Sequence, residues 1–121
     1  MLHPQEIEVR FIIPAVRREL FVALSENHNL SQRKIARLMN ITEAAVSQYK
    51  KEKRGKHAKL PGHIRSEIST SAENIYSGDS VVFNEIQRLL GLIRKDLTIC
   101  QIHQLMDSDV PSDCKECLAY L

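Results

Sequence analysis

The chain has 121 residues, of which 43% are hydrophobic and only 5% are aromatic, with no tryptophan. That length accommodates one small domain, or a small domain with a dimerising extension. The few aromatic side chains argue against a large aromatic-lined pocket. The apolar stretch FIIPAV is too short for a membrane span or a secretory signal, and Pro14 interrupts it. We therefore expect a cytoplasmic protein with no membrane partner.

The formal net charge of +2 conceals a marked segregation of charge along the chain. Residues 31–59 hold nine Lys or Arg and two Glu, a local balance of +7. Residues 1–30 carry three basic and four acidic residues, and residues 60–121 carry five and nine. A concentrated basic segment is typical of proteins that neutralise nucleic-acid phosphates, although a solvated basic face would have the same composition.

Two elements are predicted before residue 30. The segment EIEVRFII fits either a short strand or a helix that begins at Pro4, and we favour the helix because Pro4 and Glu6 resemble a helix start. Residues 14–27 predict the next helix, with Pro14 at its first position, where a missing N–H costs nothing. Its expected inward stripe consists of Val16, Leu20, Ala23 and Leu24.

Residues 32–51 predict two helices joined by a tight corner. Ser31 and Thr42 are good N-caps for the first and second helix. Asn40 falls at the corner, where a left-handed conformation is needed and Asn is the best substitute for Gly. Small Ala36 lies where the two helices would cross. The remaining inward positions are Ile35, Leu38, Met39, Ile41, Val46 and Tyr49.

The outward face of the second helix is short or polar, as entry into a DNA major groove requires. A plain helical hairpin in a core is the alternative, but caps, crossing residue, corner and outer face all agree with DNA binding. The predicted DNA-contacting residues are Ser31, Gln32, Arg33, Thr42, Glu43, Ala44, Ser47, Gln48, Lys51, Arg54 and Lys56.

The chain resembles the lambda-repressor-like (Cro/C1, or XRE) helix-turn-helix family, and more closely a group of short predicted archaeal transcriptional regulators. The resemblance covers about half of the chain closely, and the family usually has Gly at the position of Asn40. It implies a lambda-repressor-like DNA-binding domain. The residues that carry the resemblance are Pro14, Ala15, Arg17, Ser31, Gln32, Ile35, Ala36, residues 42–49, Arg54 and Gly55.

The second half predicts a helix over residues 61–76 and, after Gly78, a long helix from Asp79 or Ser80 to about Met106. The apolar positions of the long helix exceed what a domain of this size would cover, which favours a homodimer; burial within the same chain is the alternative. Those positions are Val82, Ile86, Leu89, Ile93, Leu97 and Cys100, flanked by Val81, Phe83, Leu90 and Leu92.

All three cysteines lie near the C-terminus, in the pattern Cys100-x2-His103-x10-Cys114-x2-Cys117. Two pairs of this spacing separated by a loop are typical of one tetrahedral metal site. A cytoplasmic protein has little use for structural disulfides, which also favours metal. The set fits a zinc ion or an iron–sulfur cluster, and His103 could instead be a solvated helix residue. In the family that the chain resembles, a second Cys often occupies the position that corresponds to His103.

These features together predict an all-α protein with a helix-turn-helix domain over residues 1–60. Residues 61–121 would form a helical dimerisation region that ends in a metal-binding knuckle. We expect a homodimeric, sequence-specific regulator that binds an operator in double-stranded DNA and senses iron, redox state or oxygen. A regulator with purely structural zinc and an antitoxin-like interaction subunit are the alternatives. The sequence contains no constellation typical of an enzyme active site.

Overall fold

The computed structural model describes residues 2–51, 59–95, 98–107, 109–111 and 114. All regular elements in these ranges are helical, which confirms the all-α prediction, and none of the described helices is long and apolar enough to cross a membrane. The helices are α1 (Pro4–Ile7), a π-helical segment (Glu8–Ile12), α2 (Ile13–His28), α3 (Gln32–Met39), α4 (Glu43–Lys51), α5 (Gly62–Ser77), α6 (Val82–Lys95) and α7 (Thr98–Met106).

The first three of these segments follow one another without a gap from Pro4 to His28. The backbone stays right-handed helical at Ile7, Glu8, Ile12 and Ile13, where one segment passes into the next. Pro14 has no N–H, and its ring would clash with the carbonyl of Arg10 in a regular α-helix. The wider π-helical turn relieves that clash. The preference for a helix after Pro4 is confirmed, but Pro14 does not begin the second helix.

Helix α2 lies at the centre of the fold and packs against α3, α4, α5 and α6. Its predicted inward stripe is buried in full. One cluster of buried apolar residues continues from the N-terminal segments to α7. The largest fully buried apolar side chains are Ile7, Ile12, Leu20, Leu24, Ile35, Ile64, Ile68, Leu89, Ile93, Ile99 and Ile102.

Helices α5 and α6 pack together across a polar network centred on Arg88. Its guanidinium lies 2.6 Å from Glu67 Oε2 and donates to Ser71 Oγ at 2.7 Å. Glu85 Oε1 lies 3.4 Å from Arg88 Nε. Burial alone would raise the pKa of Glu85, but hydrogen bonds led by that from Ser71, with the charge of Arg88, hold it below its ordinary value. The stability that Glu85 contributes is therefore lost as pH falls through that lowered pKa.

A second ion pair, partly buried, joins the N-terminal segment to α6. Arg94 donates from Nε to Glu8 Oε1 at 2.6 Å and from Nη2 to Glu8 Oε2 at 2.9 Å. Glu8 is only 7% exposed, and the hydrogen bond to its carboxylate raises the pKa of Arg94. A two-pronged pair of this kind fixes both distance and orientation. It therefore sets the position of α6 relative to the π-helical segment.

The apolar stripe of the predicted long helix, which favoured a homodimer, is largely covered within the chain. Leu89 and Ile93 are 0% and 1% exposed, and Cys100 is 5% exposed. The expectation that the chain leaves this stripe uncovered is therefore wrong at these three residues, because α2 and α5 pack on α6, and α1 and α6 pack on α7. Leu97 lies outside the described residues, and the predicted long helix is described as α6 and α7, on either side of residues 96 and 97.

Candidate nucleic-acid interface

The candidate interface is built on α3, α4 and the three-residue corner between them. Ser31 Oγ accepts a hydrogen bond from the Lys34 amide at 3.2 Å, and Thr42 Oγ1 accepts one from the Ala45 amide at 3.1 Å. Both hydroxyls satisfy amides that have no partner inside their helix. Both predicted N-caps are confirmed, and each fixes the residue at which its helix begins.

The corner turns through a left-handed residue at the predicted position. Asn40 has φ 55° and ψ 44°, and the Ile41 amide donates to the Ala36 carbonyl at 3.0 Å. A non-glycine residue in this region costs least when it is Asn or Asp, since a short polar side chain tolerates it. The corner therefore needs no glycine.

The inward faces of the two helices pack onto α2. Ile35, Ala36 and Val46 are no more than 5% exposed, and Ala36 leaves room for close approach. The Tyr49 ring stacks on that of Phe21, with centroids 6.2 Å apart. These contacts fix the rotation of α4 about its axis. They therefore determine which of its side chains face solvent.

The outward face of α4 is open. Glu43, Ala44, Gln48 and Lys51 are exposed, and Ser47 is partly buried. Successive members of this set are one or three positions apart in the sequence, so they share one face of the helix. The other described members of the predicted set lie at the helix starts, where Ser31, Arg33 and Thr42 are exposed and Gln32 is partly buried. Arg54 and Lys56 lie outside the described residues.

Positive charge surrounds this face. Arg33, Lys34, Arg37, Lys50 and Lys51 are all exposed on α3 and α4. Three further cations on these helices were not among the predicted contacts: Lys34 and Arg37 precede the corner, and Lys50 is the last residue but one of α4. The signal that would have identified them is that none of the three occupies a predicted inward position of its helix. Phosphates are attracted to a surface with this density of cations.

The C-terminal ligands predicted from spacing are only partly described. Cys100 and His103 are buried one turn apart on α7, and Cys114 is partly buried. Among the residues that the structure describes, no three His, Cys, Asp or Glu side chains are grouped closely enough to hold a metal. Cys100, His103 and Cys114 are therefore not brought together, and Cys117 lies outside the described residues.

His103 has a neighbour that the spacing did not reveal. Its Nε2 lies 3.4 Å from Asp107 Oδ2, and the same oxygen accepts a hydrogen bond from the Leu2 amide at 2.8 Å. The Leu2 hydrogen bond is the largest cause that lowers the pKa of Asp107. Asp107 therefore connects α7 to the start of the chain. The contact with Asp107 therefore gives this buried histidine a polar neighbour within the chain.

No protein-family model matches the chain, and neither a curated protein nor a solved structure shows a significant match to it.

Proposed function

We propose that the protein is a sequence-specific regulator of transcription that binds double-stranded DNA through α3 and α4. The single observation that supports this most strongly is the open polar face of α4 among exposed cations, at the end of a capped pair of helices. A hairpin built only for packing has no need of an outer face whose side chains are short or polar and which is surrounded by positive charge.

In this proposal α4 enters the major groove and α3 lies across the phosphate backbone. Ser47 and Gln48 read base edges, since Gln can bond adenine through two atoms. Arg33, Lys34 and Lys51 contact phosphates, which positions α4 without reading sequence. Small Ala44 permits close approach to the groove floor. In this proposal one face of α4 contacts the bases, and contacts with the DNA phosphates on both sides hold it in place.

The test is selection of bound duplexes from a random pool by the full chain. We expect a defined half-site to be enriched, and affinity to fall steeply as salt rises because counterions are released. Ala44→Glu should lower affinity for the selected site by roughly a hundred-fold, since it places a charge and bulk against the bases. Gln101→Glu, an equal charge change on the exposed face of α7, is the matched control and should change affinity little.

Enrichment of no sequence, together with equal affinity for all duplexes, would reduce the proposal to non-specific binding. An affinity that does not change with salt concentration would contradict nucleic-acid binding itself. A zinc ion or an iron–sulfur cluster at Cys100, His103, Cys114 and Cys117 stays a prediction from spacing. The described residues do not form that site, so we derive no step of the regulation through it.

A further inference from the structure

The start of α6 exposes two large apolar side chains that nothing in the described chain covers. Val81 is 58% exposed and Phe83 is 69% exposed. They lie beside two hollows, of about 240 Å³ and about 430 Å³, and Asn40, Val82 and Phe83 line both. We call Val81, Phe83 and the walls of these two hollows the corner patch.

The corner patch carries both a projecting side chain and a recess. The larger hollow lies between the end of α3, at Arg37 and Leu38, and the turn from α5 to α6, at Gly78 and Ser80. A cavity of about 150 Å³ is enough to hold a benzene ring, so either hollow has room for a phenyl group. A surface with a knob beside a hole fits a second copy of itself, related by a two-fold axis.

Opposite charges also stand on the two sides of the larger hollow, although Asp79, which accepts a hydrogen bond from Ser77 Oγ, lies beside its wall and not in it. Arg37 stands exposed on the α3 wall, and Asp79 stands exposed on the opposite turn. A two-fold axis through the patch places the α3 wall of one copy against the turn of the other. Arg37 then faces Asp79 of the partner subunit, and the pairing occurs twice.

We propose that the corner patch is the surface through which two copies of this chain associate, with Phe83 of each copy entering the larger hollow of the other. The proposal rests on the proposed DNA binding, because two copies can read a two-fold operator. None of the described side chains of α4 lines either hollow. Association through the patch therefore leaves the outward face of α4 open.

The interface must bury more surface than the two exposed side chains. A stable interface buries about 800 Å² on each partner, which is more than two side chains can supply. The walls around Leu38, Ile41 and Ile86 must therefore be covered as well. We expect a dimer at the weak end of the usual range, which a two-fold DNA site strengthens by holding both copies together.

Sedimentation of the full chain over a range of concentrations, without DNA, tests the proposal. Phe83→Asp should raise the dimer dissociation constant at least about thirty-fold, as loss of a central anchor does. Val81→Asp should also weaken the dimer. Val81 precedes α6 and its carbonyl accepts from the Glu85 amide, so Asp there is a favourable N-cap and the fold should be unharmed.

The controls are Leu105→Asp and Val9→Asp, which place the same charge on side chains 75% and 65% exposed elsewhere. Both should leave the dissociation constant unchanged. Arg37→Glu or Asp79→Arg should each weaken the dimer roughly three- to five-fold, and the double exchange should restore it.

A wild-type chain that is monomeric at all concentrations, or a dimer weakened by the control variants and not by Phe83→Asp and Val81→Asp, would overturn the proposal. A monomer that still reads a half-site would leave the DNA-binding proposal standing. A dimer that depends on Phe83 but enriches no DNA sequence would contradict only the DNA-binding proposal.

Discussion

The pair of helices α3 and α4 and the C-terminal helices α6 and α7 differ in how far the sequence predicts them. In the first region the caps at Ser31 and Thr42 and the left-handed Asn40 all lie where they were expected. In the second region the same chain covers much of the apolar stripe, and among the described residues Cys100, His103 and Cys114 form no metal-binding group.

The difference arises from the range over which each signal acts. A cap or a corner is decided by residues three or four apart, so its geometry is fixed by local sequence. An apolar stripe requires cover but does not specify which surface supplies it. The next three experiments test that distinction, in order of the size of the effect expected.

The largest effect should come from a substitution at Ile93. The sequence favoured this residue as part of a homodimer surface, but it is 1% exposed in the single chain. Ile93→Asp should destabilise the chain by more than about 4 kcal/mol and abolish cooperative folding, because it buries an unpaired charge. Thermal unfolding followed by circular dichroism measures this. Phe83→Asp, on the same helix but exposed, should unfold close to the wild-type temperature. A folded, monomeric Ile93→Asp variant would contradict burial within the chain and place Ile93 in a homodimer interface instead.

The next experiment concerns metal. The spacing of the C-terminal ligands predicts one zinc ion or one cluster per chain after anaerobic purification, and Cys114→Ser should remove it. Metal analysis and visible absorption distinguish zinc from a cluster. His103→Ala should reduce the metal content less than Cys114→Ser if the three thiolates hold most of it. Metal-free protein with unchanged stability would leave Cys100 and His103 as core residues of α7.

The smallest effects should come from the two N-caps. Ser31→Ala and Thr42→Ala should each cost about 1 kcal/mol of stability, since each leaves an amide of the first turn without its partner. The matched control is Thr70→Ala. Its hydroxyl donates to the Ser66 carbonyl within α5 and caps nothing, so its loss should be neutral or slightly stabilising. Chemical denaturation measures all three, and equal losses would show that the caps add nothing.

The sequence predicted most helix bounds of the fold to within one to three residues, but not its long-range contacts. The inward stripe of α2 was predicted, yet Glu8 and Arg94 are 86 residues apart and carry no sequence signal of their pairing. Pro14 was expected to begin a helix, but a π-helical segment precedes it and the helix continues from α1. The sequence around Pro14 does not show that continuation. The sequence identified Val81 and Phe83 as apolar but did not predict that they are exposed, since exposure depends on what packs nearby.

The central claim is that the outward face of α4 reads bases, and Gln48→Ala tests it most directly. Affinity for the selected site and for random duplex should be measured side by side at the same salt concentration. If Gln48 contacts bases and not phosphates, as we propose, the variant should lose about 1–3 kcal/mol on the selected site and little on random duplex. An equal loss on both duplexes, or no loss on either, would contradict the account.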